Sequence, residues 1–98
     1  MHKKFKTRTL LERIVTPKDS ELTVLVIDNF DNSSGIGFAY PDNNPKAEGI
    51  YLDCHHGDRS RYKHGKIKHK HGDLIFAFVQ QRDKGLYASY YRPYKKHY

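Results

Sequence analysis

Gly35-Ile36-Gly37-Phe38-Ala39-Tyr40 is the stretch on which the reading of this chain turns. Gly37 carries no side chain, so another backbone or a ligand can approach closely there. Ile36 and Phe38 stand two residues apart and so share one face of a strand. A second extended run, Ile50-Tyr51-Leu52-Asp53-Cys54, follows after a loop from Pro41 to Glu48 that is rich in Pro, Asn and Asp. Upstream, Leu22-Thr23-Val24-Leu25-Val26-Ile27 is apolar and β-branched with little alternation, which predicts a strand covered on both faces. Asp28 to Ser34 then reads as a turn, because Asn and Asp tolerate left-handed geometry and cap their own backbone. Downstream, Gly72 and Gly85 bracket a fourth strand, Leu74 to Val79, and a charged hairpin turn, Gln80 to Gly85. Leu86 to Tyr94 makes a fifth, tyrosine-rich strand. Five short strands separated by turns, with no sustained helical period, predict a small all-β barrel.

Taken in order, these stretches resemble the cold-shock domain family. Gly35-Ile36-Gly37-Phe38-Ala39 is similar to its first ribonucleoprotein motif, Gly-Phe-Gly-Phe-Ile. Ile50-Tyr51-Leu52-Asp53-Cys54 is similar to its second, Val-Phe-Val-His-Phe. The spacing from Gly72 to Gly85 is the family's own around its fourth strand. Gly85-Leu86-Tyr87-Ala88-Ser89-Tyr90-Tyr91 resembles its closing Gly-Pro-Gln-Ala-Ala-Asn-Val strand. The resemblance spans Leu22 to Tyr94 and implies a five-stranded antiparallel Greek-key OB-fold barrel. It also has departures. The family's tryptophan falls on Asn29, its histidine on Asp53, and two of its phenylalanines on Ile36 and Cys54.

Ninety-eight residues make one small domain. Residues 1–21 read as a basic extension and residues 22–98 as the barrel. A formal net charge of +7 favours an anionic partner. The single cysteine, Cys54, excludes an internal disulfide and suits a reducing compartment. The basic start lacks an apolar run of the signal-peptide kind, and no stretch has membrane-spanning length. The expectation is therefore a cytoplasmic protein without a membrane partner.

Within the extension, Thr9-Leu10-Leu11-Glu12 has the form of a capping box, and Leu10, Leu11, Ile14 and Val15 fall on one helical face. Thr16 before Pro17 ends this helix within two turns, so it needs a surface to dock on; a short strand is the alternative. In the resemblance, Leu25, Ile27, Ile75, Ala77 and Val79 face the core. Val24, Val26, Leu74, Phe76 and Phe78 then face out together, and the short helix is the expected cover. The chain is expected as a monomer, with a homodimer through the fourth strand as the alternative.

Residues 55–73 break the pattern. They hold Arg59, Arg61, Lys63, Lys66, Lys68 and Lys70, five histidines, and Ile67 as their one aliphatic residue. They read as a long cationic surface excursion beside the stacking face. Its lysines and arginines can contact phosphates, each contact adding about −0.7 to the log–log salt slope of single-strand binding. On the resemblance, Phe38 and Tyr51 are base-stacking positions; Phe30 and Tyr62 are further aromatic candidates. Asn29 can hydrogen-bond a base edge where the family has its tryptophan. The candidate nucleic-acid-binding set is Asn29, Phe30, Ile36, Phe38, Tyr51, Asp53, Arg59, Arg61, Tyr62, Lys63, Lys66 and Lys68.

No cofactor and no metal site are assigned. Cys54-His55-His56 and His69-Lys70-His71 hold metal-binding residue types but match no zinc spacing. Cys54 beside His55 suggests a nucleophile–base pair, yet neighbours on a strand face opposite ways, so no catalytic residue is assigned and the chain reads as a non-enzyme. The expected function is binding of single-stranded RNA or DNA, as cold-shock RNA chaperones do. The alternative is an OB-fold protein-interaction module that has lost most of the stacking platform.

Overall fold

The computed structural model describes residues 21–94, which form a closed β-barrel of five strands. They are β1 (Thr23–Asp31), β2 (Ile36–Pro41), β3 (Ile50–Asp53), β4 (Leu74–Arg82) and β5 (Gly85–Pro93). The expected short helix, Leu10 to Val15, lies outside the described residues. Around the barrel the order is β1-β2-β3-β5-β4, with β4 returning to β1. Closure leaves no open sheet edge. Four of the five pairings are antiparallel. The expected wholly antiparallel barrel is corrected at one seam, where β3 meets β5 in parallel at Tyr51 and Tyr87.

The inward residues alternate as a closed sheet requires. Leu25 and Ile27, Ile50 and Leu52, and Ile75 and Ala77 are buried, each pair two apart on its strand. Burying one such Leu or Ile side chain is worth roughly 1.5–3 kcal/mol before ordering costs. Ala39, Ala77 and Ala88 are small inward residues, and Tyr91 is the largest side chain fully buried among them.

β1 is longer than the sequence suggests. Asp28 to Asp31, expected as a turn, continue the strand: Asp28 sits in a bulge, and Asn29, Phe30 and Asp31 pair with Phe38, Gly37 and Ile36. Where β4 leaves β1, residues 72–73 take over its hydrogen bonding. Ile27 N–H donates to Asp73 O at 2.8 Å, and Gly72 N–H donates to Ile27 O at 2.9 Å. The true turn is shorter, held by Asp31, whose carboxylate accepts from Ser33 N–H at 2.9 Å and Ser33 Oγ–H at 2.6 Å.

The excursion is not wholly on the surface. Tyr62, Ile67 and His69 are only 7%, 8% and 7% exposed and join the core. Asn32 docks the segment by a paired amide contact: its Nδ2–H donates to His69 O at 3.1 Å, and its Oδ1 accepts from His69 N–H at 2.9 Å. On the outer β1–β4 face, Val24, Val26, Phe76 and Phe78 are half-buried and Leu74 is exposed. The Tyr94 ring lies 4.8 Å from that of Phe76, and the Arg92 guanidinium 5.4 Å, so the end of β5 already covers part of this face.

Candidate nucleic-acid interface

Strand alternation aims Gly37 and Ala39 inward and Ile36 and Phe38 outward. Phe38 is 44% exposed and Ile36 39%, so two large apolar side chains stand together on the outer surface. The register sets Phe38 between Asn29 on β1 and Tyr51 on β3, and Ile36 opposite Asp53. Directly opposed residues share a face, so Asn29, Ile36, Phe38, Tyr51 and Asp53 form one surface. The Phe38 and Tyr51 rings meet edge to face, with centroids 5.7 Å apart.

The same row continues through residues that the sequence reading left out. Tyr87 on β5 adjoins Tyr51 across the parallel seam. The Arg82 guanidinium lies 4.0 Å above the Tyr87 ring, and Tyr87 donates from its hydroxyl to Gln80 Oε1 at 3.0 Å. Phe38, Tyr51 and Tyr87 with Arg82 and Lys84 line one side-by-side groove of about 780 Å3, with Glu48 and Asp83 at its rim. The sequence signal for Tyr87 was available, since it stands in a tyrosine-rich strand with Tyr90 and Tyr91. The parallel pairing that sets it beside Tyr51 was not.

Two aromatic candidates are corrected. Tyr62 is buried in the core and presents no ring to a base. Phe30 pairs with Gly37 on the inner side of β1, is packed against the core, and meets the His69 ring edge-on at 5.6 Å. The cations are corrected in position. Arg61, Lys63, Lys66 and Lys68 line a second groove of about 860 Å3 with Leu74, Pro93 and Tyr94, and it shares no lining residue with the aromatic one. Arg59 is exposed. Arg82 and Lys84, rather than the excursion, put positive charge at the aromatic groove.

Beneath the cationic groove runs a buried chain of hydrogen bonds. His69 Nδ1 meets Asp73 Oδ2 at 3.0 Å, and His69 Nε2 meets Tyr62 Oη at 2.7 Å. A neutral ring satisfies both contacts: Nδ1–H donates to the carboxylate, and Nε2 accepts from the tyrosine. Burial pushes the His69 pKa down and outweighs the opposing pull of Asp73. The unfolded chain therefore binds this proton more readily than the folded one. Stability should be full above the unfolded value of about 6.5 and decline as pH falls from there toward the lower folded pKa. Denaturant midpoints taken across that window should fall with pH, and His69→Asn should flatten the fall. An equal fall in both proteins would place the titrating group elsewhere.

At the end of β3 the chain leaves the strand in a 3-10 turn, Cys54–His56. Asp53 caps it, accepting from His55 N–H at 3.0 Å, and Asp53 Oδ1 lies 2.8 Å from His55 Nδ1. The His55 backbone N–H, above all, holds the Asp53 carboxyl below its ordinary pKa. The expectation that Cys54 and His55 face opposite ways fails here, because strand alternation stops at Asp53. Donor atoms of Asp53, Cys54 and His55 all lie within 4.8 Å of one another. Below them is Tyr91, fully buried, whose hydroxyl has no hydrogen-bond partner among the described residues. Burial, and then the neighbouring Cys54 and Asp53, push its pKa up.

No family model and no curated protein matches this chain. Among the described residues, no helix is long and apolar enough to cross a membrane.

Proposed function

We propose that the chain binds single-stranded nucleic acid on an OB-type Greek-key barrel, in the manner of the cold-shock RNA chaperones that its sequence resembles. The observation that carries this reading is the exposed Phe38 ring set against Tyr51 on adjacent strands. An outward phenylalanine adds little to a core, whereas a flat aromatic surface stacks any unpaired base. The strand order supports the same conclusion, since OB barrels bind oligonucleotides on the face of strands 2 and 3 and on the loop between strands 4 and 5. Those are the elements that carry Phe38, Tyr51, Arg82 and Lys84. Asn29 in place of an aromatic ring leaves fewer stacking surfaces, and its amide can instead read a base edge.

Binding then needs stacking and charge but no turnover. A labelled oligonucleotide and its duplex, titrated at two salt concentrations, test this. The single strand should bind more tightly, because duplex bases are already stacked on one another. Equal affinity for the two would reduce the interaction to nonspecific charge attraction. Absence of binding to either would favour a protein-interaction module.

A further inference from the structure

We propose that Asp53, Cys54 and His55 form a zinc-binding site at the rim of the aromatic face. The three side chains offer a carboxylate oxygen, a sulfur and an imidazole nitrogen, all within 4.8 Å of one another. On a tetrahedral zinc ion, with bonds of roughly 2.0–2.3 Å, neighbouring donors stand roughly 3.3–3.6 Å apart. Asp53 Oδ1 and His55 Nδ1 already stand 2.8 Å apart, closer than that spacing, so binding asks the side chains to readjust around the ion. The turn is already fixed: Cys54 N–H donates to Gly35 O at 2.8 Å, and Gly57 N–H donates to Cys54 O at 3.2 Å. The Cys54 sulfur is seated against Gly35, where a Cβ would collide with it. The mixed donor set decides the ion. Thiolate and imidazole suit zinc, whereas magnesium and calcium take oxygen ligands.

A second observation points to the same place. The Tyr91 ring runs beneath Gly57, directly after the turn; a Cβ on Gly57 would lie 3.3 Å from Tyr91 Cζ. Its hydroxyl is buried and unpartnered among the described residues, and Cys54 and Asp53 lie near it. A buried hydroxyl without a partner is costly. A water held on the zinc would give this hydroxyl a hydrogen-bond partner. Outer-shell donors of this kind orient metal ligands. Three protein ligands leave the fourth position of the tetrahedron for water. Asp53 also borders the proposed nucleic-acid face, but the zinc proposal does not rest on that reading, and its test uses no oligonucleotide.

The test is a titration of the full chain with Co2+, followed by displacement with Zn2+. One equivalent of Co2+ should release the thiol proton and give a thiolate-to-cobalt charge-transfer band, and Zn2+ should remove the band by displacing the cobalt. Cys54→Ser should abolish the band. Cys54→Ser and His55→Gln should each weaken Zn2+ binding by at least the ~10–100-fold that even outer-shell partners cost, with circular dichroism showing the fold intact. Tyr91→Phe, which removes only the hydroxyl, should weaken Zn2+ about tenfold at an unchanged band, within the outer-shell range. Absence of the charge-transfer band overturns the proposal. So does Zn2+ affinity unchanged in Cys54→Ser, which would assign the metal to the other histidines. Unchanged affinity in Tyr91→Phe overturns the hydroxyl's part.

Discussion

Gly37→Ala is expected to destabilise the barrel by about 3 kcal/mol or more, at the upper end of overpacking costs. A Cβ at this position meets the Asn29 carbonyl oxygen, and lies 2.7 Å from Phe30 Cδ2 and 2.9 Å from Phe30 Cα. Two of those three atoms are backbone, so no rotamer change relieves the clash. β1 cannot retreat either, because it is held between β2 and β4 and again by residues 72–73. Relief requires β1 and β2 to part at the bulge, where the aromatic face begins. Domains of this kind have total stabilities of roughly 5–15 kcal/mol, so the loss is a large share. Gly65→Ala is the control. Its φ of +69° disfavours a side chain, but nothing lies within 4 Å, so only the backbone cost of ~1–2 kcal/mol applies. Urea midpoints of the two variants should differ clearly. Equal midpoints would mean that β1 does not press on Gly37.

The contrast between these glycines also shows which parts of the structure can be read from sequence. Strand positions were legible as short apolar runs between turns, and in the fold their inward residues alternate, as in Leu25 and Ile27, Ile50 and Leu52, and Ile75 and Ala77. Local composition misled where pairing overrides it. Asp28-Asn29-Phe30-Asp31 has turn chemistry, yet β2 supplies a partner strand, and ladder hydrogen bonds outweigh the local preference. The excursion concealed its buried residues because only Ile67 and His69 alternate, between exposed Lys66, Lys68 and Lys70, and this two-residue pattern is too short and too polar to announce a core segment. Tyr62, Ile67 and His69 are buried by docking through Asn32, a contact 37 residues away in sequence. Phe38 and Tyr51 were legible as neighbours because β2 and β3 pair in order. Tyr87 and Arg82 were not, since their place depends on a parallel seam between strands far apart in the chain. Misplacing the cations has the same origin: sequence order put the excursion next to β3, while its docking turned Arg61, Lys63, Lys66 and Lys68 toward Leu74 and Tyr94.

That separation of the two grooves makes the last expected result specific. Phe38→Ala and Tyr51→Ala should each weaken single-strand binding by ~1–3 kcal/mol, about 5- to 150-fold, with the salt slope unchanged. The loss should be one of binding rather than folding, because Phe38 is exposed and Tyr51 half-buried. Their rings touch at 5.7 Å and support the same base, so the double substitution should cost less than the sum of the two. Lys66→Ala with Lys68→Ala removes two cations from the other groove. If both contact phosphate, the log–log salt slope should flatten by about 1.4, at about 0.7 per phosphate. The aromatic and lysine losses should add, since residues in separate grooves share no partner. Oligonucleotide titrations across a salt series, run on all of these variants, read both quantities together. Aromatic and lysine variants that change the slope alike would show that Phe38 and Tyr51 do not stack on bases. Strong coupling between Phe38 and the lysine pair would show that one groove, not two, holds the strand.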